Sequence, residues 1–394
     1  MGATGLRPLW LTETYPPDRG GMAQSCDRIV RHLRRAGVNL DVAHLHRRAN
    51  RFGIELRESG ADLTGPLDED PAHALNRLWA LARRRHAEAP YTQVVAFGGQ
   101  TPLLAGPTFA AWLGVPLVTL LRGNDFDLGV FSPKRTDVIR TAVQSSACVC
   151  TVASEQANRV RALFPSIPVV FTPNGIDHQE WRLLPEDARR GQDWRAAHVP
   201  PGRRLIGMFG QLKQKKGALF FLETLAGSGM AERFALLVIG DLEPAIGEWL
   251  REHEAVLPVT HLPFCDRFEL LPYYAAADLI AIPSFYDGMP NVLLEAVALG
   301  RPLLASDAGG MPDVLEQRSA LLFPAGDSAG CRRALMTAAE ADAAELAAMA
   351  AQARARALTE FDVSHEVARY LRVLSEVRSP CAVDARIERK VEPA

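Results

Sequence analysis

Pro283-Ser284-Phe285-Tyr286-Asp287-Gly288-Met289-Pro290-Asn291-Val292-Leu293-Leu294-Glu295-Ala296 follows directly on the uncharged run Leu279-Ile280-Ala281-Ile282. A short run rich in branched residues reads as a strand buried on both faces. The Pro- and Gly-containing stretch after it reads as a turn, and Pro290 in a first turn starts a helix. The segment is therefore one strand–turn–helix unit. Asp287 lies in its loop and Glu295 about one and a half turns into its helix, so both carboxylates can face one ligand. The amides of Gly288, Met289 and Asn291 would point at an anion at the positive end of the helix dipole. A glutamate on a helix is ordinarily a solvated residue. Here its neighbours Leu293, Leu294, Ala296 and Val297 are apolar, and a carboxylate in such a run needs a partner. Asp307-Ala308-Gly309-Gly310-Met311-Pro312, after the next strand, supplies another glycine turn beside it.

The same unit recurs along the chain. Strands are expected at Pro8 to Thr12, Asn39 to His44, Gln93 to Phe97, Pro116 to Leu121, Ala147 to Val152 and Pro168 to Thr172, with helices near 21–36, 102–113, 135–146 and 154–163. Residues 177–203 have no clean period and end in Pro200-Pro201-Gly202, the composition of a linker. From Arg204 the alternation restarts, with strands near 204–209, 234–239, 258–262, 278–282, 302–305 and 320–323 and helices near 216–226, 243–254, 267–276, 290–299 and 310–317. Ala-rich 328–358 reads as one or two helices. The expected organisation is α/β: two tandem doubly wound domains, 1–198 and 199–362, a last amphipathic helix at 363–378 and a disordered tail at 379–394.

The length, 394 residues, allows two or three domains, each with its own core. A hydrophobic content of 48% and a net charge of −2 exclude intrinsic disorder and a globally basic nucleic-acid binder. The basic residues are lopsided: of 44 Lys and Arg only five are lysine, and three of those, Lys213, Lys215 and Lys216, sit inside Gly210-Gln211-Leu212-Lys213-Gln214-Lys215-Lys216-Gly217. Lysine offers phosphate a compact ammonium, so the cluster reads either as a phosphate site or as a solvated charge run. Six scattered cysteines (Cys26, Cys148, Cys150, Cys265, Cys331 and Cys381) form no C-x-x-C pair and read as idle thiols in a reducing compartment. No signal-like segment and no uncharged run near the roughly 20 residues of a spanning helix is found, so a cytoplasmic protein is expected. Residues 1–198 carry 24 basic against 20 acidic side chains, and residues 199–394 carry 20 against 26. Arg28, Arg31, Arg34 and Arg35 on one helix and the run Arg83-Arg84-Arg85 are either solvated faces or a contact with an anionic membrane at its inner face.

In open α/β sheets, ligands sit at the carboxyl ends of the strands. The first strand leads through Glu13 to Gly20-Gly21 and a helix, with glycines that let backbone amides approach an anion. No G-x-G-x-x-G dinucleotide fingerprint and no G-x-x-x-x-G-K-[ST] P-loop occurs in the chain. Leu121-Arg122-Gly123-Asn124-Asp125 places a cation and two polar side chains after a buried strand. Phe209-Gly210 leads into the lysine loop, where Lys213 and Lys216 could neutralise a diphosphate.

Taken together these residues resemble the family 4 retaining glycosyltransferases, which have two Rossmann-like domains in the GT-B arrangement, an interdomain cleft and a last helix crossing back to the first domain. The family's Glu-x7-Glu signature corresponds to Asp287 and Glu295; the match extends from Gly20-Gly21 through Pro173-Asn174-Gly175-Ile176-Asp177 to Ser306-Asp307-Ala308-Gly309-Gly310. The resemblance implies a nucleotide diphosphate sugar donor, UDP- or GDP-linked, on the second domain and a glycan or lipid-linked acceptor on the first, with no nucleic acid, no cofactor and no metal. It implies that Glu295 holds the ribose, Asp287 the donor sugar, and Gly288, Met289, Pro290 and Asn291 the sugar and phosphate. Lys216, with Gln211 and Lys213, would face the diphosphate, Phe264 and Cys265 would frame the base, and Gly20 and Gly21 would reach the diphosphate from the first domain. Arg122 would act near the donor sugar, with Asn124 and Asp125 on the acceptor side. Retention would proceed by front-face attack, the leaving phosphate taking the acceptor proton. The chain departs from the pattern with Asp at 287, Gln at 211 where Arg is usual, and Arg at 122 where many members have His; a permanent cation there suits an acidic sugar or a phosphorylated acceptor. A nucleotide-sugar 2-epimerase and a partner subunit without turnover, both on the same fold, are the alternatives.

Overall fold

A computed structural model describes residues 5–67 and 70–377. The expected tail at 379–394 lies outside the described residues. The described residues form two compact units, one comprising residues 5–67, 70–152, 156–172 and 367–377, the other residues 153–155 and 173–366.

The first unit contains β1 (Pro8–Thr12), α1 (Gly21–Arg35), β2 (Asp41–His46), β3 (Gly53–Arg57), β4 (Gly60–Pro66), α2 (Pro71–Glu88), β5 (Gln93–Phe97), α3 (Gln100–Leu113), β6 (Leu117–Leu121), α4 (Asn124–Asp127), α5 (Thr136–Gln144), β7 (Ser146–Thr151), α6 (Ser154–Leu163, the unit break falling in its first turn) and β8 (Val169–Phe171). Its eight strands lie in the order β3-β4-β2-β1-β5-β6-β7-β8. All neighbours are parallel except β3 and β4. Every residue of β1, β5 and β6 is buried, because helices cover both faces of these central strands. Leu9 and Leu11 pack with Ala74, Leu78 and Phe109 of α2 and α3 on one side, while Trp10 turns to the other face and meets Phe97.

The second unit contains α7 (Pro185–His198), β9 (Arg204–Phe209), α8 (Ala218–Ala226), β10 (Phe234–Ile239), α9 (Pro244–Glu252), β11 (Val259–Leu262), α10 (Arg267–Ala276), β12 (Leu279–Ile282), α11 (Asn291–Ala298), β13 (Leu303–Ser306), α12 (Met311–Val314), β14 (Leu321–Phe323), α13 (Ser328–Glu340) and α14 (Ala343–Glu360). Its order is β11-β10-β9-β12-β13-β14, parallel throughout. Counted along the unit this is 3-2-1-4-5-6, the doubly wound order, and the direction of winding reverses between β9 and β12. The core runs from Phe221 and Leu225 of α8 through Leu236 and Val238 to Leu335 and Leu346. The last helix, α15 (Val363–Glu376), enters the first unit at Val367.

Two expectations about the chain's organisation are corrected. The break between units falls after Thr172, not after residue 198, and 177–203 is not a plain linker. It holds α7, which packs on α10. The contact passes through Gly191, where a Cβ would strike the Pro272 carbonyl oxygen, and through Arg195, which reaches Asp278 at 2.8 Å and the Ala276 carbonyl at 3.0 Å. A helix that docks through a glycine and an arginine leaves no apolar stripe to read. The hairpin β3–β4 and the helix α2 were likewise absent from the expected elements. β3 lies at the sheet edge, partly or fully exposed, and its Gly-Ile-Glu-Leu-Arg sequence lacks the apolar run of a buried strand.

Candidate active site

The two strands that flank the winding reversal in the second unit carry the two motifs singled out in the sequence. After β9, Gly210 adopts φ +104, a left-handed conformation that favours glycine. A Cβ on Gly240, at the end of neighbouring β10, would strike the Gly210 carbonyl oxygen, so the strand ends meet through two glycines. The expected helix from 216 is instead a single tight turn at Gln214–Lys216, followed by α8 from Ala218. Gly217 separates them with φ +65, and a Cβ there would occupy the Pro283 carbonyl oxygen. The Phe285 amide donates to the Lys215 carbonyl at 3.0 Å. The lysine loop is thereby fastened to the loop leaving β12.

That fastening brings Lys216 Nζ onto Asp287 Oδ2 in a half-buried ion pair. The Asp287 carboxylate also accepts from the Gly288 amide at 2.9 Å, so this amide is engaged within the loop and not open to an anion as expected. The Asp307–Gly310 turn closes from the other side: the Gly310 amide donates to the Gly288 carbonyl at 2.6 Å. Asn174 Nδ2 donates to the Met289 carbonyl at 2.7 Å, holding the buried Met289 in place. Pro290 stands at the cap position before α11 and Asn291 is its first residue.

Glu295 is 6% exposed, inside the apolar run of α11. The required partner is Tyr274 of α10, whose hydroxyl donates to Glu295 Oε2 at 2.7 Å. Burial and the adjacent carboxylate push the Tyr274 hydroxyl well above its ordinary value, so it remains a donor. Nothing local in the sequence joins these residues, which lie on different helices. Gln211 is exposed and Lys213 half-buried, its carbonyl accepting from the Lys216 amide at 2.9 Å. Phe264 and Cys265 lie half-buried between β11 and α10, with the Cys265 thiol raised by burial and by Glu269 and Asp266.

The first unit gathers its own set at the carboxyl ends of its strands. Gly20, φ +112, precedes α1, and Gly21 is the first residue of that helix. Glu13 turns its carboxylate to the Thr101 amide at 3.2 Å, and also accepts from the Gln100 amide, at the start of α3, a contact that sequence reasoning missed. Arg122 is anchored by three groups. Its guanidinium lies 4.7 Å from the Phe97 ring centroid, Nη1 donates to the Tyr370 hydroxyl of α15 at 3.1 Å, and its amide donates to both oxygens of Asp125 at 2.9 and 3.0 Å. Asp125 accepts in addition from the Phe126 amide at 2.9 Å, and burial pushes its carboxyl up to about 6. Asn124 Oδ1 is shielded from solvent without a hydrogen-bond donor. Arg34, expected on a free basic face, turns inward to Asp62 at 2.8 Å and the Leu40 carbonyl at 2.9 Å, and Arg85 reaches Asp41 at 3.1 Å. No cluster of three or more metal-ligating side chains occurs among the described residues.

The motifs agree with comparison to known proteins. Residues 19–180 match the family described as Glycosyltransferase Family 4, and residues 203–341 match Glycosyl transferases group 1. The 2-deoxystreptamine glucosyltransferase of Streptomyces kanamyceticus is 27% identical over 338 residues, covering 77% of this chain and 84% of its own. The fold matches the sucrose-phosphate synthase of Thermosynechococcus elongatus with a TM-score of 0.79 and 19% identity, over 94% of this chain and 98% of that one. Anabaena HepE, solved in complex with UDP-glucose, gives a TM-score of 0.71 at 20% identity, over 94% of this chain and 100% of its own. One family model on each sheet, a relative aligned over most of both chains and fold agreement nearly end to end place this protein among the family 4 glycosyltransferases of GT-B fold.

Proposed function

We propose that the enzyme is a retaining, metal-independent glycosyltransferase that takes a sugar from a nucleotide diphosphate donor, UDP- or GDP-linked, to a glycan or lipid-linked acceptor. The observation that carries this reading is the Lys216–Asp287 pair at the winding reversal, with Glu295 on the same βα unit. A diphosphate at this place would draw Lys216 onto its departing oxygens, leaving Asp287 to accept from sugar hydroxyls, while Glu295 takes the ribose. The bond between the anomeric carbon and the diphosphate oxygen breaks and the acceptor oxygen bonds that carbon on the same face. The acceptor proton passes to the leaving phosphate. Lysine and the α11 dipole would carry the charge that a metal carries elsewhere, in the manner of electrostatic stabilisation aimed at the leaving group. Arg122, with Asn124 and Asp125 beside it, would face an anionic sugar or a phosphorylated acceptor. Gly20 and Gly21 would contribute amides to the diphosphate.

The test is a panel of nucleotide sugars scored by release of nucleoside diphosphate and by transfer. Lys216→Ala is expected to lower turnover by about 10²- to 10³-fold, on the scale of losing one preorganised donor to developing negative charge, as in an oxyanion hole. Glu295→Ala is expected to raise donor KM. Unchanged donor turnover in both variants overturns the assignment, and a new sugar formed from the donor without transfer assigns the site to an epimerase.

A further inference from the structure

The fourteen residues of α3, Gln100 to Leu113, include no Asp, Glu, Lys or Arg. One side of this helix is nevertheless open to solvent: Leu104 is 49% and Trp112 55% exposed, with Thr108 and Ala111 exposed between them. These four positions share one helical stripe. A surface helix ordinarily turns charge to water, so an apolar outward stripe marks an interaction surface. Trp112 rests on Trp79 of α2 at 4.9 Å between ring centroids, and Trp79 meets Phe109 edge-on at 5.3 Å. The exposed indole is thus supported from beneath.

The neighbours of α3 supply the opposite chemistry. The helix packs against both α2 and α5. Arg77, Arg83 and Arg84 are exposed on α2, Lys134 and Arg135 just before α5, and Arg140 on it. The exposed acidic residues of these segments are Asp70, whose carboxylate caps α2, Glu88, paired with Arg84 and Arg85, and Asp137. Phe131, 86% exposed, stands ahead of α5. An apolar ridge between two basic margins is complementary to anionic headgroups lying over hydrocarbon. A second copy of this chain fits poorly, because a two-fold contact through this face brings like charges together.

We propose that the face formed by α2, α3 and α5 docks on an anionic lipid bilayer, with Trp112 and Leu104 entering the headgroup region and the flanking arginines and lysine engaging lipid phosphates. No residue of this face belongs to the proposed donor site, so the two readings fail separately. The experiment is co-sedimentation of the full chain with vesicles of phosphatidylcholine containing roughly one-third phosphatidylglycerol, and with phosphatidylcholine alone, at low and high ionic strength. Binding is expected only to the phosphatidylglycerol vesicles, weakening with salt. Arg83→Ala combined with Arg84→Ala is expected to weaken it about 30-fold, from about 1 kcal/mol per basic residue at an anionic surface. Trp112→Ser is expected to weaken it about tenfold through lost apolar burial. Transfer to a water-soluble acceptor stays at the wild-type rate in both variants. No binding to phosphatidylglycerol vesicles at low ionic strength, or equal binding by the variants, overturns the proposal. A dimer in sedimentation velocity that Trp112→Ser dissolves assigns the face to a second copy instead.

Discussion

Glu295 shows what one buried charge demands of its surroundings. A carboxylate among Leu293, Leu294, Ala296 and Val297 costs free energy unless it is hydrogen-bonded, and the Tyr274 hydroxyl at 2.7 Å meets that demand. Tyr274→Phe is expected to lower stability by about 1 to 3 kcal/mol, the cost of a buried group losing its partner, and to raise donor KM as Glu295 loses its orientation. Urea unfolding and donor kinetics measure the two effects; a variant with wild-type values for both would show that the pair does not hold Glu295. The need for a partner was legible in the sequence, but the partner's identity was not, since Tyr274 lies on another helix, α10, which packs against both α7 and β9. Gly309 is a second such case. Its φ of +57 and the Asp287 carbonyl against it leave no room for a Cβ, so Gly309→Ala is expected to displace the Asp287 loop and to lower kcat in donor-turnover assays along with the thermal midpoint of the unit.

Elements carry the next level of constraint. The central strands, with every residue apolar or buried, were legible because burial on both faces leaves only one kind of side chain. The edge hairpin and α7 were not, because edge strands and helices seated through glycine obey no simple period. The last helix was expected, but its contact with Arg122 was not: α15 lays Tyr370 against Trp10 at 6.2 Å and onto Arg122. Tyr370→Phe is expected to lower turnover about tenfold with little change in donor KM, by freeing the guanidinium to wander; equal kinetics would remove Tyr370 from the positioning of Arg122. Asp125 adds a pH dependence of definite sign. Its carboxyl ionises near 4 when unfolded and at about 6 when folded, so between these values the folded state holds a proton that the unfolded state has lost. Stability contributed here therefore falls as pH rises from about 4 to about 6 and is level above. Asp125→Asn is expected to abolish that fall, on the order of 2 kcal/mol after discounting for residual exposure, in denaturant titrations run across the window.

The two units repeat one construction. Each has a doubly wound sheet with its own core, and each gathers its polar residues where strands end and helices begin. Their chemistry nevertheless differs: the second unit offers a lysine, a buried glutamate and a glycine-shaped loop, and the first offers an arginine held by aromatic rings. Charge follows the same division, which is why a net charge of −2 said little about either half. Separate cores predict separate unfolding transitions, and a ligand held by one unit stabilises that unit by mass action. UDP or GDP at a hundredfold its dissociation constant adds about 2.7 kcal/mol. For a unit of about 200 residues this raises its transition by roughly 5 to 10 °C in scanning calorimetry. The shifted transition is expected to be the one reported by Trp181, Trp194 and Trp249, which lie in the second unit, and not by Trp10, Trp79 and Trp112 of the first. Lys216→Ala is expected to shrink the shift because the ammonium no longer meets the diphosphate. A shift confined to the transition of the first unit would move the donor there and leave the Lys216–Asp287 loop without its proposed ligand.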